Sequence, residues 1–134
     1  MNLQVGVKVL IQNRQDEYLL IKRTEVMDGE TEPHWDIPGG RIEPEETLVD
    51  ALKREVQEET ELELGNEPML IRAQDIFVPS KDLHVVRLTY KASGEGAVAI
   101  SDEHQTIQWA KIRVALGLNL DPYLREVLIE QEAQ

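Results

Sequence analysis

The sequence predicts a single α/β (α+β) domain over residues 1–134, with a mixed β-sheet between two main helices. Two runs of alternating apolar residues, at 5–11 and 84–92, are typical of half-buried strands. Two helix starts, at Thr47 and at Asp121-Pro122, carry residues that helix N-termini favour. With 134 residues, of which 41% are hydrophobic, the chain is large enough to bury one core.

Strand and turn signals follow one another through the first part of the chain. Residues 5–11 place Val or Ile at every second position and predict the first strand. A polar turn at residues 13–16 leads to a second strand at residues 18–23, which we expect to form a hairpin with the first. The acidic segment at residues 24–33 contains Gly29 and predicts a loop.

The central helix follows a short extended piece, residues 35–38, which ends at Gly39 and Gly40. Thr47 is its predicted N-cap, with Asp50 three residues further on. The remaining strand signals lie at residues 69–76, 84–92, 97–100 and 106–110. A last helix begins after them, and we expect the two helices to cover opposite faces of the sheet.

The composition excludes several classes of function. A net charge of −12 and a pI of about 4.6 argue against a nucleic-acid-binding surface, which is usually basic. The absence of cysteine excludes disulfides, thiolate metal sites and a cysteine nucleophile. No apolar run reaches membrane-spanning length and the first residues do not form a secretory signal, so we expect a cytoplasmic protein without a membrane partner. A polyanionic substrate would need metal ions to offset repulsion.

Three glutamates occupy the apolar face of the central helix. At about 100° per residue, Glu55, Glu58 and Glu59 lie on the same face as Leu48 and Leu52. A solvated helix face is the alternative, but shared placement with leucines argues against it. Uncompensated burial of carboxylates is costly, and hard cations prefer carboxylate oxygens. The pattern therefore predicts a divalent cation, Mg²⁺ or alternatively Mn²⁺.

The positions around these glutamates resemble the signature box of the Nudix hydrolases, over residues 40–62. The matching positions include Gly40, Glu46, Arg54, Glu55, Glu58 and Glu59. The preceding segment, Trp-Asp-Ile-Pro-Gly-Gly, resembles the lead-in that many members carry. Glu61 is the one position that departs from the family pattern, which has glycine there. Three alternatives follow: a left-handed Glu61 at a cost of about 1 kcal/mol, a longer helix, or a turn supplied by Gly65.

The resemblance implies a Mg²⁺-dependent hydrolase that cleaves the diphosphate linkage of a nucleoside diphosphate derivative. Because the chain is short, we favour a nucleoside triphosphate pyrophosphohydrolase that releases a nucleoside monophosphate and pyrophosphate. The alternatives are a hydrolase of an ADP-sugar or a dinucleoside polyphosphate, and a non-catalytic nucleotide-binding Nudix-fold domain. The partner would be a nucleotide or a related diphosphate small molecule. The sequence leaves the oligomeric state open, including a homodimer.

The same resemblance assigns roles at the metal site. Glu55, Glu58 and Glu59 would hold the metal, and Gly40 would add its carbonyl oxygen. Arg54 would orient a ligand; it could reach Glu58 at i+4 or Glu46 across the turn, and a plain surface ion pair is its alternative role.

Further roles concern proton transfer, substrate and turn geometry. The general base would be Glu58 or Glu103. Arg23 and Arg41 would meet substrate phosphates, although each could equally be an ordinary surface charge. Glu46 would position Arg54 or act only on the helix dipole, and Gly39 would serve the turn.

Overall fold

The computed structural model describes residues 1–23, 33–99 and 105–134. Within these residues, seven strands form one sheet. The strands are β1 (Asn2–Gln12), β2 (Glu17–Arg23), β3 (Trp35–Asp36), β4 (Gly39–Arg41), β5 (Met69–Val78), β6 (Leu83–Ser93) and β7 (Gln105–Lys111). The helices are α1 (Leu48–Thr60), α2 (Ile112–Leu116) and α3 (Pro122–Glu132), with a 3₁₀ turn at Pro79–Lys81.

The sheet is mixed, as predicted, and is built around β1. Its main path runs β3-β2-β1-β6-β5, while β4 pairs with β1 and β7 pairs with β2. β1 and β6 are parallel along their whole length, from Asn2 opposite Leu83 to Gln12 opposite Ser93. The other strand pairs are antiparallel, including the predicted pairing of β1 with β2.

The helices cover opposite faces of this sheet, as expected. On β1, Val7 and Val9 belong to the core under α1, whereas Leu10 belongs to the core under α2 and α3. Leu52 of α1 and Leu124 of α3 are fully buried in these two cores. Burial of one such side chain contributes about 1.5–3 kcal/mol, so each helix is fixed to its face by a few apolar side chains, Leu52 and Val56 in α1 and Leu124, Val127 and Leu128 in α3.

Helix α1 begins and ends at defined caps. The hydroxyl of Thr47 accepts a hydrogen bond from the Asp50 N–H at 3.1 Å, which confirms the predicted N-cap. At the other end Glu61 adopts a left-handed conformation with φ 59°, and its N–H donates to the Gln57 carbonyl at 3.0 Å. Of the three alternatives for Glu61, the structure therefore has the left-handed turn.

Replacing Glu61 with glycine is expected to stabilise the protein by about 0.5–1 kcal/mol, because glycine adopts positive φ without steric cost. Urea unfolding followed by circular dichroism measures this gain. The matched control is Lys53→Gly on the exposed face of α1, which should cost about 1 kcal/mol. A Glu61→Gly variant that is less stable than the wild type would contradict the expectation.

Two features of the fold differ from the prediction. Residues 97–99 form no strand; instead the Ala99 N–H donates to the Thr60 carbonyl at 3.2 Å, so this segment packs on the end of α1. The segment after β7 forms the short helix α2, which its sequence did not predict because five residues carry too little periodicity. Residues 24–32 of the predicted loop lie outside the described residues. No helix in the described part of the chain is long and apolar enough to cross a bilayer.

Candidate active site

The Gly39–Gly40 segment lies directly against α1. The Gly39 N–H donates to Oε1 of Glu59 at 3.0 Å. A Cβ atom on Gly40 would lie 2.5 Å from Cδ of Glu55, closer than such atoms approach. Glycine at position 40 is therefore required for the Glu55 carboxylate to rest on the backbone. Two of the three helix glutamates thus contact this segment. The prediction of a turn at Gly39 and Gly40 was wrong, because both residues belong to β4 and pair with Lys8 and Val7 of β1.

Arg54 joins the acidic residues into one network. Its guanidinium makes two bonds to Glu46, Nε to Oε2 at 2.7 Å and Nη2 to Oε1 at 3.0 Å. Its Nη1 lies 2.9 Å from Oε1 of Glu55 and 3.4 Å from Oε2 of Glu58. Nη2 also donates to the Arg41 carbonyl at 3.1 Å. Both contacts expected from the sequence, to Glu46 and Glu58, are present, and the contact with Glu55 adds a third.

Burial differs along the row of glutamates. The side chain of Glu55 is 17% exposed, whereas that of Glu58 is 59% exposed. The predicted placement on the apolar face therefore holds well for Glu55 and only loosely for Glu58. Hydrogen bonding to Arg54 lowers the pKa of Glu46 to about 2, and hydrogen bonding to Glu46 raises the pKa of Arg54 further. Glu46 and Arg54 therefore remain charged at neutral pH.

The chemistry of this site suits a divalent cation. Its donors are carboxylate oxygens, which Mg²⁺ and Mn²⁺ prefer, and Glu55 and Glu59 both face the Gly39–Gly40 backbone. In residues 1–23, 33–99 and 105–134, no three acidic or histidine side chains already stand in a metal-binding arrangement. The ligand roles of Glu55, Glu58, Glu59 and Gly40 remain predictions.

The other predicted site residues are distributed unevenly. Arg41 is exposed at the end of β4, next to the network of Arg54. Arg23 is the last residue of β2, where its backbone pairs with Gln105 of β7. Glu103, the candidate base, lies outside the described residues, between β6 and β7. The roles of these three residues stay predictions.

The Glu46–Arg54 pair gives an expected pH dependence. The pKa of Glu46 is lowered from 4.5 to about 2, so the stability that Glu46 contributes is present above pH 4.5 and is lost as the pH falls towards 2. Glu46→Gln should therefore be less stable than wild type at pH 6, and the two proteins should converge near pH 2. Thermal unfolding measured across this range tests the expectation. A constant difference in Tm at every pH would contradict it.

A second charged cluster lies on the other side of the Gly39–Gly40 segment, and sequence analysis did not identify it. Asp36 accepts two hydrogen bonds from Arg87, Nη2 to Oδ1 at 2.8 Å and Nη1 to Oδ2 at 3.0 Å. Lys8 Nζ lies 3.7 Å from Asp36 Oδ2 and donates to the Ile37 carbonyl at 3.2 Å. Nη1 of Arg87 also lies 3.6 Å from Oδ1 of Asp121, the N-cap of α3.

Burial and neighbouring charges set the ionisation of this cluster. Burial alone would raise the pKa of Asp36, but Lys8 and Arg87 outweigh it and lower that pKa well below its usual value. Burial likewise opposes the charge of Arg87, yet Asp36 raises the pKa of Arg87 overall. Burial and the charge of Asp36 raise the pKa of Asp121. The Asp36–Arg87 pair is therefore ionised.

The alternation in residues 84–92 concealed the buried Arg87. Arg87 lies at a position that a half-buried strand would turn to solvent. Its strand β6 instead has buried residues on both faces, Thr89 on the face of Arg87 and Tyr90 on the other, and the Arg87 side chain is only 6% exposed. The available signal was Arg87 itself, a charged residue between the apolar Val86 and Leu88 in the middle of a strand.

Comparison with known protein families matches the NUDIX domain to residues 2–130. The chain belongs to the Nudix family. The resemblance seen in residues 40–62 and the expected α+β sandwich are confirmed. Nudix hydrolases generally use divalent cations such as Mg²⁺.

This Nudix chain is similar over part of its length to two curated hydrolases. It is 42% identical over 69 residues to the 8-oxo-dGDP phosphatase of Homo sapiens, which covers 52% of this chain and 20% of that protein. It is 38% identical over 63 residues to the m7GpppN-mRNA hydrolase of Bos taurus, which covers 46% of this chain and 20% of that protein. The matches span about a third or less of the length of the curated relatives.

The whole Nudix fold has close structural counterparts. The MutT protein from Methanosarcina mazei Go1 superposes with a TM-score of 0.83 at 26% identity, covering 98% of this chain and 94% of that one. The described sheet and helices are therefore those of a Nudix sandwich.

Proposed function

We propose that this Nudix domain is a Mg²⁺-dependent hydrolase that cleaves the diphosphate linkage of a nucleoside diphosphate derivative. The favoured substrate is a nucleoside triphosphate, which with one water gives a nucleoside monophosphate and pyrophosphate. The observation that carries the proposal is the placement of Glu55 and Glu59 against the Gly39–Gly40 backbone, with Arg54 connecting Glu46, Glu55 and Glu58.

The negative charge of the site explains why the proposal includes a cation. Three glutamates of α1 and a net charge of −12 would repel a polyphosphate. A bound divalent cation would offset the phosphate charge and make an attacking water more acidic. Glu55, Glu58 and Glu59 would hold it, with the Gly40 carbonyl as a further ligand by family resemblance. Arg54 would fix the orientation of Glu55, because its Nη1 already contacts that carboxylate at 2.9 Å.

The reaction also needs a group that accepts a proton. Water adds to phosphorus, the bond to the bridging oxygen breaks, and the water's proton passes to a carboxylate. Glu58 and Glu103 are the candidates. The Glu58 side chain is more exposed than those of Glu46 and Glu55, the other two glutamates that Arg54 binds. Arg41 and Arg23 would contact the substrate phosphates.

The candidate base is tested by Glu103→Gln. If Glu103 accepts the proton, kcat should fall about 10²–10⁴-fold and the acidic limb of the pH–rate profile should change. The same substitution at exposed Glu67, which pairs with Lys53 away from the site, provides the control. An unchanged kcat and pH profile would remove Glu103 and leave Glu58 as the candidate.

The names of the relatives suggest which substrates to try first. Those relatives are named for 8-oxo-dGDP and for a capped mRNA end, and both contain a phosphoric anhydride attached to a guanine nucleoside. Oxidised guanine nucleotides therefore stand beside ordinary nucleoside triphosphates as candidates. The alternatives of an ADP-sugar or a dinucleoside polyphosphate share the same linkage.

A substrate screen tests the proposal. Purified protein with Mg²⁺ is incubated with nucleoside triphosphates, 8-oxo-dGTP, 8-oxo-dGDP, ADP-ribose, diadenosine polyphosphates and a cap dinucleotide, and released phosphate, pyrophosphate and nucleotide are measured. The expected result is Mg²⁺-dependent cleavage of at least one, which is abolished by EDTA. Saturable nucleotide binding without cleavage of any would instead support the non-catalytic alternative and contradict the enzyme.

A further inference from the structure

The Gly39–Gly40 segment is held on β1 by a short antiparallel ladder, in which Gly39 lies opposite Lys8 and Gly40 opposite Val7. β3 has two residues and β4 has three, and Ile37 and Pro38 between them belong to no strand. Outside the ladder, the segment is attached to β1 by the Val9 N–H, which donates to the Pro38 carbonyl at 3.0 Å, and by the Ile42 N–H, which donates to Val5 at 3.0 Å. Backbone hydrogen bonds therefore fix β4 itself, whereas Ile37, which leads into β4, is bonded by the side chains of Asp36 and Lys8.

The charged cluster supplies contacts that the ladder does not. Asp36 binds Arg87 through both carboxylate oxygens, and its Oδ1 also accepts the Ile37 N–H at 2.8 Å. Lys8 donates to the Ile37 carbonyl at 3.2 Å. A planar guanidinium that binds both oxygens of a carboxylate fixes orientation as well as distance. The cluster therefore fixes Ile37, through which the chain enters β4 at Gly39.

Lys8 also contacts Gly39 itself. A Cβ atom on Gly39 would lie 2.9 Å from Cδ of Lys8 and 2.0 Å from the Val7 carbonyl oxygen, so Gly39 is packed tightly on β1. Its N–H points to Glu59 on the other side. One short piece of backbone thus separates the charged cluster from the glutamates of α1.

We infer that Asp36 and Arg87 are positioning residues for the Nudix site: their bidentate ion pair, with Lys8, fixes the Gly39 backbone and through it the carboxylate of Glu59. Neither residue is assigned a contact with substrate. The role assigned to them depends on the proposed function, because Glu59 matters for catalysis only if the glutamates hold a cation.

The energetics of the pair favour a role in orientation. Arg87 is buried and Asp36 is half-buried. Replacing such an ion pair by uncharged residues is often neutral for stability, whereas removing Asp36 alone is costly because the charge of Arg87 stays buried. Nε of Arg87 is buried and lacks a hydrogen-bond partner among the described residues, which makes the arrangement less favourable still. Stability alone is therefore a weak reason for a charged pair at this position.

The test compares Asp36→Asn/Arg87→Met, which removes both charges, with Arg87→Lys, which keeps the charge but loses the bidentate geometry. Hydrogen exchange of the Gly39 amide and the affinity for Mn²⁺ are measured on each folded variant. We expect exchange at Gly39 to accelerate at least about tenfold and Mn²⁺ to bind about 10–100-fold more weakly. On a cleaved substrate, kcat should fall by up to about 10²-fold with KM little changed.

Arg72→Met is the matched control. Arg72 also forms ion pairs between the sheet and α3, with Glu126 at 3.3 Å and with Glu130, but lies away from Gly39. It should change thermal stability without changing Gly39 exchange or Mn²⁺ affinity. Wild-type exchange at Gly39 in both cluster variants would overturn the positioning role. If wild-type protein neither binds Mn²⁺ nor cleaves a substrate, the proposed function fails, while Gly39 exchange still decides whether the cluster holds the Gly39 backbone.

Discussion

Glu59→Gln is expected to lower kcat at least about 10²-fold while the protein stays folded. Glutamine keeps an oxygen that can accept the Gly39 N–H, which Glu59 accepts at 3.0 Å, so the Gly39–Gly40 segment should remain in place. It removes the negative charge that a divalent cation would need. Mn²⁺ titration should show weaker binding in parallel with the loss of turnover.

The control for Glu59→Gln is the same substitution at a glutamate outside the site. Glu67 is 82% exposed and pairs only loosely with Lys53 at 3.6 Å, so Glu67→Gln should leave kcat and Mn²⁺ binding unchanged. Near-normal turnover and Mn²⁺ affinity in Glu59→Gln would remove this glutamate from the proposed metal site. Glu58→Gln, made beside it, separates the two neighbouring carboxylates.

Gly40→Ala is expected to reduce turnover about 10²-fold with only a modest loss of stability. The added methyl group would lie 2.5–2.6 Å from the carboxylate atoms of Glu55, so this side chain must move away from position 40. Because Glu55 is bound to Arg54, the movement should also disturb the contacts of the guanidinium. Turnover and thermal unfolding of the same sample separate the two effects.

Gly6→Ala provides the comparison on the neighbouring strand. A Cβ atom there would make only ordinary contacts, 3.8 Å from the Gly40 carbonyl oxygen and 4.0 Å from Val85. It should therefore change neither stability nor turnover by much. If Gly40→Ala retained full activity, the close contact between Glu55 and Gly40 would not be needed for the reaction.

Much of the fold could be predicted because its signals are local. The alternation in residues 5–11 and the capping residues Thr47 and Asp121 specify their elements without reference to distant parts of the chain. The row of Glu55, Glu58 and Glu59 was visible for the same reason, since helical spacing places them side by side. The contact of Gly39 with Glu59 was not predicted, because the two residues are 20 positions apart in the sequence.

The features that were missed depend on contacts between segments far apart in the sequence. Arg87 and Asp36 are 51 residues apart, and the sequence around either residue does not indicate that the two form an ion pair. Residues 97–99 include the strand-forming Val98, but the Ala99 N–H bonds to the end of α1 instead of to a strand. Local propensity could not show which neighbour each segment would find.

The parallel pairing of β1 with β6 has a consequence for how the protein is made. Asn2 aligns with Leu83, and the two strands remain in register to Gln12 and Ser93. Strand β1 therefore has no partner on this edge until some eighty further residues have been synthesised. Pairing of strands so far apart in the sequence slows folding. Until β6 has been synthesised, β1 exposes an unpaired, valine-rich edge to other chains. We therefore expect the protein to depend on chaperones during expression.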